Sequence, residues 1–259
     1  MKHYQYKPTF TICFIILGLI LLFGGCEIIE RGEKGNGVSV TSVRPIETFD
    51  QVTIDGNYRI TLIASERNRL EIEADENLQE YIITSVSNQQ LRIETTDKIA
   101  SLNGFNIDIY YSEPLKTIKC NGAAVINNSE PLKVRNLQLE MSGAGMIDLE
   151  IEGRSLATEI SGAGLVKISG KIKNQKLDLS GAGSYKAYDL YSENCELDLS
   201  GFGNAQVFAA NRIDVDLSGL GNVSIRGEPT TVNKSISGLG KVRVIRPGET
   251  DNTESENYL

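Results

Sequence analysis

The chain has 259 residues, 34 of them acidic and 26 basic, a formal net charge of −8 and one histidine, His3. A net-acidic surface argues against nucleic acid and anionic lipid surfaces as partners, and a chain of this length can bury one large core. With its sole histidine at the extreme N-terminus, Ser-His-Asp and Cys-His catalysis, histidine-bound zinc and histidine acid–base chemistry are excluded in their usual forms.

Lys2 and Lys7 precede an apolar run from Phe10 to Phe23, which closes on Gly24-Gly25-Cys26. A positive start, a short apolar stretch and small residues mark an export signal, and the run is short for a spanning helix. The cysteine after two glycines resembles a bacterial lipobox, with Phe23 where leucine is usual. That resemblance implies a signal peptide over 1–25 and lipid on Cys26, the anchor of an outer-membrane lipoprotein facing the surface or the periplasm. The alternative is an uncleaved anchor. Removal of Lys2 and Lys7 with the signal moves the formal charge to −10. Residues 26–45, polar and carrying Gly32, Gly35 and Gly37, read as a flexible tether.

From Phe49 a period of two sets in through Val52, Ile54, Ile60, Leu62, Leu70, Ile72, Leu91, Ile93, Ile107 and Ile109. Residues 46–118 are therefore expected as strands that start the solenoid described next and cap its N-terminal end, without a regular glycine corner.

Over 119–246 the chain repeats itself. Ser-Gly-x-Gly begins at Ser142, Ser161, Ser180, Ser200, Ser218 and Ser237, after a weaker copy at Asn121, with steps of 21, 19, 19, 20, 18 and 19. A period near 19 marks stacked repeats. One, three and five places before each serine stand residues such as Met141, Leu139 and Leu137, or Leu217, Val215 and Ile213. Five and seven places after stand pairs such as Ile147 and Leu149, or Val223 and Ile225. Branched aliphatics alternating on both sides of a glycine corner mean strand, tight turn, strand. The turn glycines are Gly143, Gly145, Gly162, Gly164, Gly181, Gly183, Gly201, Gly203, Gly219, Gly221, Gly238 and Gly240. They serve either positive φ or close backbone approach. The second corner, near Gly153 to Leu156 or Gly170 to Leu177, varies and is expected to be the looser loop. The fold class is all-β, a parallel β-helix, and residues 247–259 are expected as a polar, disordered tail. Cys120 and Cys195, four rungs or roughly 19 Å apart at strand spacing, cannot bridge and are expected in the core.

These features resemble the family called the putative auto-transporter adhesin, head GIN domain, over roughly residues 45–246. The residues that carry the resemblance are Phe49-x-x-Val52-x-Ile54-x-Gly56, Ala74-Asp75-Glu76-Asn77-Leu78, Ile109-Tyr110-Tyr111 to Leu115-Lys116-Thr117-Ile118, and the Ser-Gly-x-Gly series. The resemblance implies a right-handed β-helix of the pectate-lyase kind, location in the cell envelope, absence of catalytic residues and cofactors, and a role in adhesion. The competing readings are a polysaccharide lyase or hydrolase on the same scaffold, and an envelope scaffold or sensor component.

Individual chemistries follow from the columns the repeat creates. Gly-x-Gly lacks the third glycine and following helix of a phosphate loop, and six serines in a ladder do not make a nucleophile elbow. Glu140, Glu159, Asp178, Asp198 and Asp216 stand two places before successive serines, a carboxylate stripe that is either a solvated face or a candidate cation site for oxygen-loving metals. No confident metal site results. The variable corner residue becomes large and apolar at Phe202, Leu220 and Leu239, a candidate protein interface or self-association surface. Tyr188 and Phe208 are expected to face outward together, the candidate glycan contact.

Overall fold

Backbone pairing repeats itself along this chain because each coil offers the next the same row of amide groups at the same height. The computed structural model describes residues 32–96, 99 and 105–246. The expected signal peptide, Cys26 and the polar tail 247–259 lie outside these residues.

The N-terminal part contains β1 (Ser39–Pro45), β2 (Gln51–Asp55), β3 (Tyr58–Ala64), β4 (Arg69–Asp75), a 3₁₀ helix (Glu76–Tyr81), β5 (Ile82–Ser87), β6 (Gln90–Thr95) and β7 (Phe105–Tyr111). Short strands β8 (Thr117–Cys120) and β9 (Val125–Asn128) follow, then β10 (Leu132–Met141), β11 (Met146–Ile160) and β12 (Leu165–Leu179). The series continues with β13 (Ala182–Ala187), β14 (Leu190–Leu199), β15 (Phe202–Phe208), β16 (Arg212–Leu217), β17 (Leu220–Arg226), β18 (Thr231–Ile236) and β19 (Leu239–Ile245).

From β8 onward every rung pairs in parallel with the next, giving a β-solenoid with two sheets. In one sheet Cys120, Met141, Ile160, Leu179, Leu199, Leu217 and Ile236 stand in register. In the other, Ile126, Ile147, Val166, Tyr185, Ala205, Val223 and Val242 do so. Up to Ile225 these columns form a continuous buried core with Phe49 at its start, and burial of that surface is the main favourable term in folding; Ile236 on the last rung is exposed. Cys120 and Cys195 are unpaired and buried within it.

The serine corners are held by close approach and not by backbone sign. None of their glycines has φ in the left-handed region. A Cβ on Gly143, Gly162, Gly201, Gly219 or Gly238 would instead stand 1.8–2.1 Å from the carbonyl oxygen of the glycine one rung below. The column begins earlier than the motif does. Gly122 lies over Gly56, whose carbonyl oxygen would be 2.0 Å from an added Cβ, and Asn121 Nδ2 donates to Asp55 Oδ1 at 2.6 Å. Asp55-Gly56-Asn57 is therefore a corner of the same stack, contrary to the expectation that the N-terminal strands lack one.

Two further expectations change, and the order of the N-terminal strands is new. The second corner is not a loose loop in the middle coils: β11 and β12 run through it and stay paired, with Glu152 opposite Lys171 and Ser155 opposite Asn174. Turns separate the strands there only later, as at Tyr188 and Asp189. The tether over 26–45 is too long, since Ser39–Pro45 forms β1, antiparallel to β4. Its Ser-Val-Thr-Ser-Val alternation suits a sheet edge, and Gly37 N reaches Asp75 Oδ2 at 3.1 Å just before it. Finally, the N-terminal strands do not stack in chain order. β2 and β3 lie between β6–β7 on one side and β8–β9 on the other, while β5 and β4 add antiparallel strands beyond β6 and β7.

Candidate functional site

The outward columns carry whatever chemistry this surface offers. In the sheet that precedes the serine corners, Glu140, Glu159, Asp178, Asp198 and Asp216 are direct neighbours from rung to rung, as the repeat requires. Lys119 stands below the first and pairs with Glu140 at 2.8 Å. Partial burial and the charges of Asp178 and Asp216 raise the Asp198 carboxyl above its ordinary range, against the opposing pull of Lys176. The ladder keeps neighbouring carboxylates one strand spacing apart, about 4.8 Å, pointing the same way and not converging. Among the described residues no three His, Cys, Asp or Glu side chains are grouped to hold a metal ion.

Beside the stripe lies a groove of about 1260 Å³ that crosses the rungs from Gln89 and Phe49 to Arg212 and Asp214. The columns four and six places before each serine line it, along the bend that the sequence suggested would be a loop. Asn174 and Asn194 are stacked there, with Asn194 Nδ2 donating to Asn174 Oδ1 at 3.0 Å. Four acidic and four basic residues line it, three of each joined in ion pairs. Lys176 Nζ meets Glu196 Oε1 at 2.6 Å, Arg212 Nε meets Asp214 Oδ2 at 2.6 Å, and Lys116 pairs with Asp50. The hydrogen bond to Glu196 raises the Lys176 ammonium, and Arg212 with Asn233 holds the Asp214 carboxyl below its ordinary range. Asp50 is almost wholly buried at the N-terminal end of the groove, and its Oδ1 has no hydrogen-bond partner. Sequence reasoning missed this groove because its outward residues are chemically ordinary; the recurrence of Asn136, Asn174 and Asn194 six places before a serine was the available signal.

The corner column comes together as expected. Phe202, Leu220 and Leu239 are in-register neighbours, with Phe202 63% and Leu239 79% exposed and Leu220 half-buried between them. The two aromatics of the candidate glycan contact each have a further partner. Phe208 packs its ring on Tyr191, centroids 5.3 Å apart, while the guanidinium of Arg226 lies 3.9 Å over the ring of Tyr188. A cation already covers that face, which removes it as an open stacking platform. Tyr185 is fully buried, accepts a hydrogen bond from Gln175 Nε2 at 2.7 Å, and has its hydroxyl pushed well above the ordinary range by burial.

The family described as putative auto-transporter adhesin, head GIN domain, matches residues 48–229. Three solved structures share the fold. A putative adhesin from Bacteroides fragilis is 23% identical, with a TM-score of 0.80 over 83% of this chain and 100% of its own. A putative adhesin from Parabacteroides distasonis is 22% identical, with a TM-score of 0.70 over 82% of this chain and 99% of its own. A protein from the same organism named a putative lipid binding protein is 22% identical, with a TM-score of 0.65 over 82% and 100%. No curated protein matches the chain. Among the described residues no helix is long and apolar enough to cross a membrane.

Proposed function

The chain belongs to the putative auto-transporter adhesin, head GIN domain family, and on that premise we propose that it is a non-enzymatic adhesion module of the cell envelope, anchored by lipid on Cys26. The observation that carries the reading is the exposed apolar strip Phe202, Leu220 and Leu239 along the corner column. A large apolar side chain at a tight corner gains nothing from water, and a contiguous strip of them suits contact with a protein partner. The groove supports a binding role over catalysis. Glu196 raises the Lys176 ammonium and Arg212 holds the Asp214 carboxyl low, whereas a general base or acid needs a proton affinity near the working pH.

Added protease on intact cells, beside a periplasmic control protein, tests the location; loss of the protein is expected, and its protection refutes adhesion. The strip is tested by Phe202→Ser with Leu220→Ser. The double variant is expected to fold normally and to lose association, measured as oligomeric mass by light scattering and as cell aggregation. Unchanged values for both refute the strip as a contact surface.

A further inference from the structure

We propose that the groove beside the carboxylate stripe binds an uncharged polysaccharide in extended form, lying along the solenoid axis. Four observations lead to this ligand class, and none depends on the corner strip. The groove is long: from the rung of Thr117 to the rung of Asp214 there are five steps, or about 24 Å at strand spacing. Its charged lining is balanced, Asp50, Glu113, Glu196 and Asp214 against Lys116, Arg135, Lys176 and Arg212, so the walls present no net charge to a ligand. The neighbouring stripe of five carboxylates repels polyanions, which removes acidic polysaccharides and nucleic acids from the field.

The lining is amphipathic in the way a sugar ring is. Amides recur along one wall, as at Asn174 and Asn194, and Pro114 and Ala157 contribute exposed apolar surface. Hydroxyl groups on ring edges satisfy the first and C–H faces cover the second.

Periodicity separates a polysaccharide from an extended peptide. The groove repeats once per rung, about 4.8 Å, whereas an extended peptide advances about 3.3 Å per residue. Successive peptide side chains therefore drift out of step with the amide column within a few rungs. A chain of pyranose rings advances by close to one rung per ring and keeps its register. Nor can a peptide add as a strand here, because the groove runs over the side chains of paired strands and not along a sheet edge.

The test is a titration of the full chain, in a detergent without a sugar headgroup. Xylo-, manno- and cello-oligosaccharides from disaccharide to octasaccharide are used, followed by calorimetry. Affinity for at least one series is expected to rise with length until the groove is filled, at about five or six rings. Ala157→Trp places a bulky side chain at an exposed position in the middle of the groove, away from the core, and is expected to weaken binding at least about tenfold with an unchanged unfolding midpoint. Phe202→Ser, on the corner strip, is expected to leave binding untouched, so the two surfaces fail separately. Absence of binding by all three series, affinity independent of length, wild-type binding by Ala157→Trp, or preference for polygalacturonate or an extended peptide would each overturn the proposal.

Discussion

Two glycines two residues apart in the same corner should respond very differently to alanine. A Cβ on Gly181 would stand 2.2 Å from Gly162 O and 2.5 Å from Ser161 C and O, all of them backbone atoms. Ordinary contact begins near 3.4 Å, so the rungs must part by about 1 Å, since the repulsive wall is steep. That movement strains the bonds from Gly181 N to Ile160 O and from Ala182 N to Gly162 O, both 3.0 Å long. Two weakened hydrogen bonds at about 1 kcal/mol each, with about 1–3 kcal/mol for overpacking, are offset by about 0.4–1 kcal/mol from a less flexible unfolded chain. The net cost of Gly181→Ala is then about 2–4 kcal/mol. At Gly183 the nearest atoms are Ile160 Cγ2 at 2.9 Å and Gly164 O at 3.1 Å. A side chain can yield a few tenths of an ångström, so Gly183→Ala should cost no more than about 1 kcal/mol. Urea unfolding followed by far-ultraviolet circular dichroism measures both, with native hydrogen exchange at Ala182 as a local check. Equal costs, or a cost below about 0.5 kcal/mol at Gly181, would show that steric closure does not explain the motif.

Electrostatics and cysteine chemistry give two more tests. The Asp198 carboxyl has a raised folded-state pKa, so its ionised form costs stability at neutral pH, and the cost disappears as pH falls through that pKa. Asp198→Asn should therefore stabilise the protein at pH 7 by about 0.5–1 kcal/mol, allowing for solvent screening of two neighbours at strand spacing. The advantage should vanish in acid, and a constant difference across pH would contradict the assignment. Burial pushes the Cys195 thiol up to about 12, which leaves almost no thiolate at pH 8. A thiol-specific reagent should leave Cys195 unmodified in the folded protein and modify it fully in concentrated urea; fast labelling of the native state would refute its burial.

The architecture was legible because one physical requirement is repeated in six Ser-Gly-x-Gly corners: the first glycine stands where backbones touch, and each strand needs aliphatics at every second place. Register followed as well, since a step near 19 residues puts Glu159 beside Glu140 and Leu220 beside Phe202. The exceptions were hard to read for particular reasons. Gly56 belongs to the glycine column, but its serine is replaced by Asp55 and its partner Gly122 lies 66 residues away, so no local period marks it. The order of the N-terminal rungs depends on β2 inserting between β6 and β8, a long-range choice absent from any local pattern. Gln175 occupies a core column beside Leu156 and Cys195; its amide is tolerated only because Tyr185 and Ser192 lie within reach. The groove left one trace, the recurrence of Asn136, Asn174 and Asn194, because concavity depends on how several rungs stack and not on any residue type.

The ends of the stack explain why recognition is sought on its sides. An open edge of unpaired strands invites association with another chain, and inward-pointing charges on edge strands are one defence. β1 carries Arg44 on its inner side, where Nη1 donates to Ile82 O at 2.7 Å and Nη2 to Gln79 O at 2.9 Å. At the other end Lys234 takes the place held by Val215 one rung below, and its Nζ donates to Val242 O at 3.3 Å. A chain seeking end-to-end polymerisation has reason to keep an aliphatic residue at that place, because a buried ammonium between two copies would lose its water without gaining a partner. Charge at both edges therefore disfavours stacking of one solenoid on the next and leaves the lateral surfaces for ligands. The corner strip and the groove occupy different columns of those surfaces, so the proposed protein contact and the proposed glycan site do not overlap.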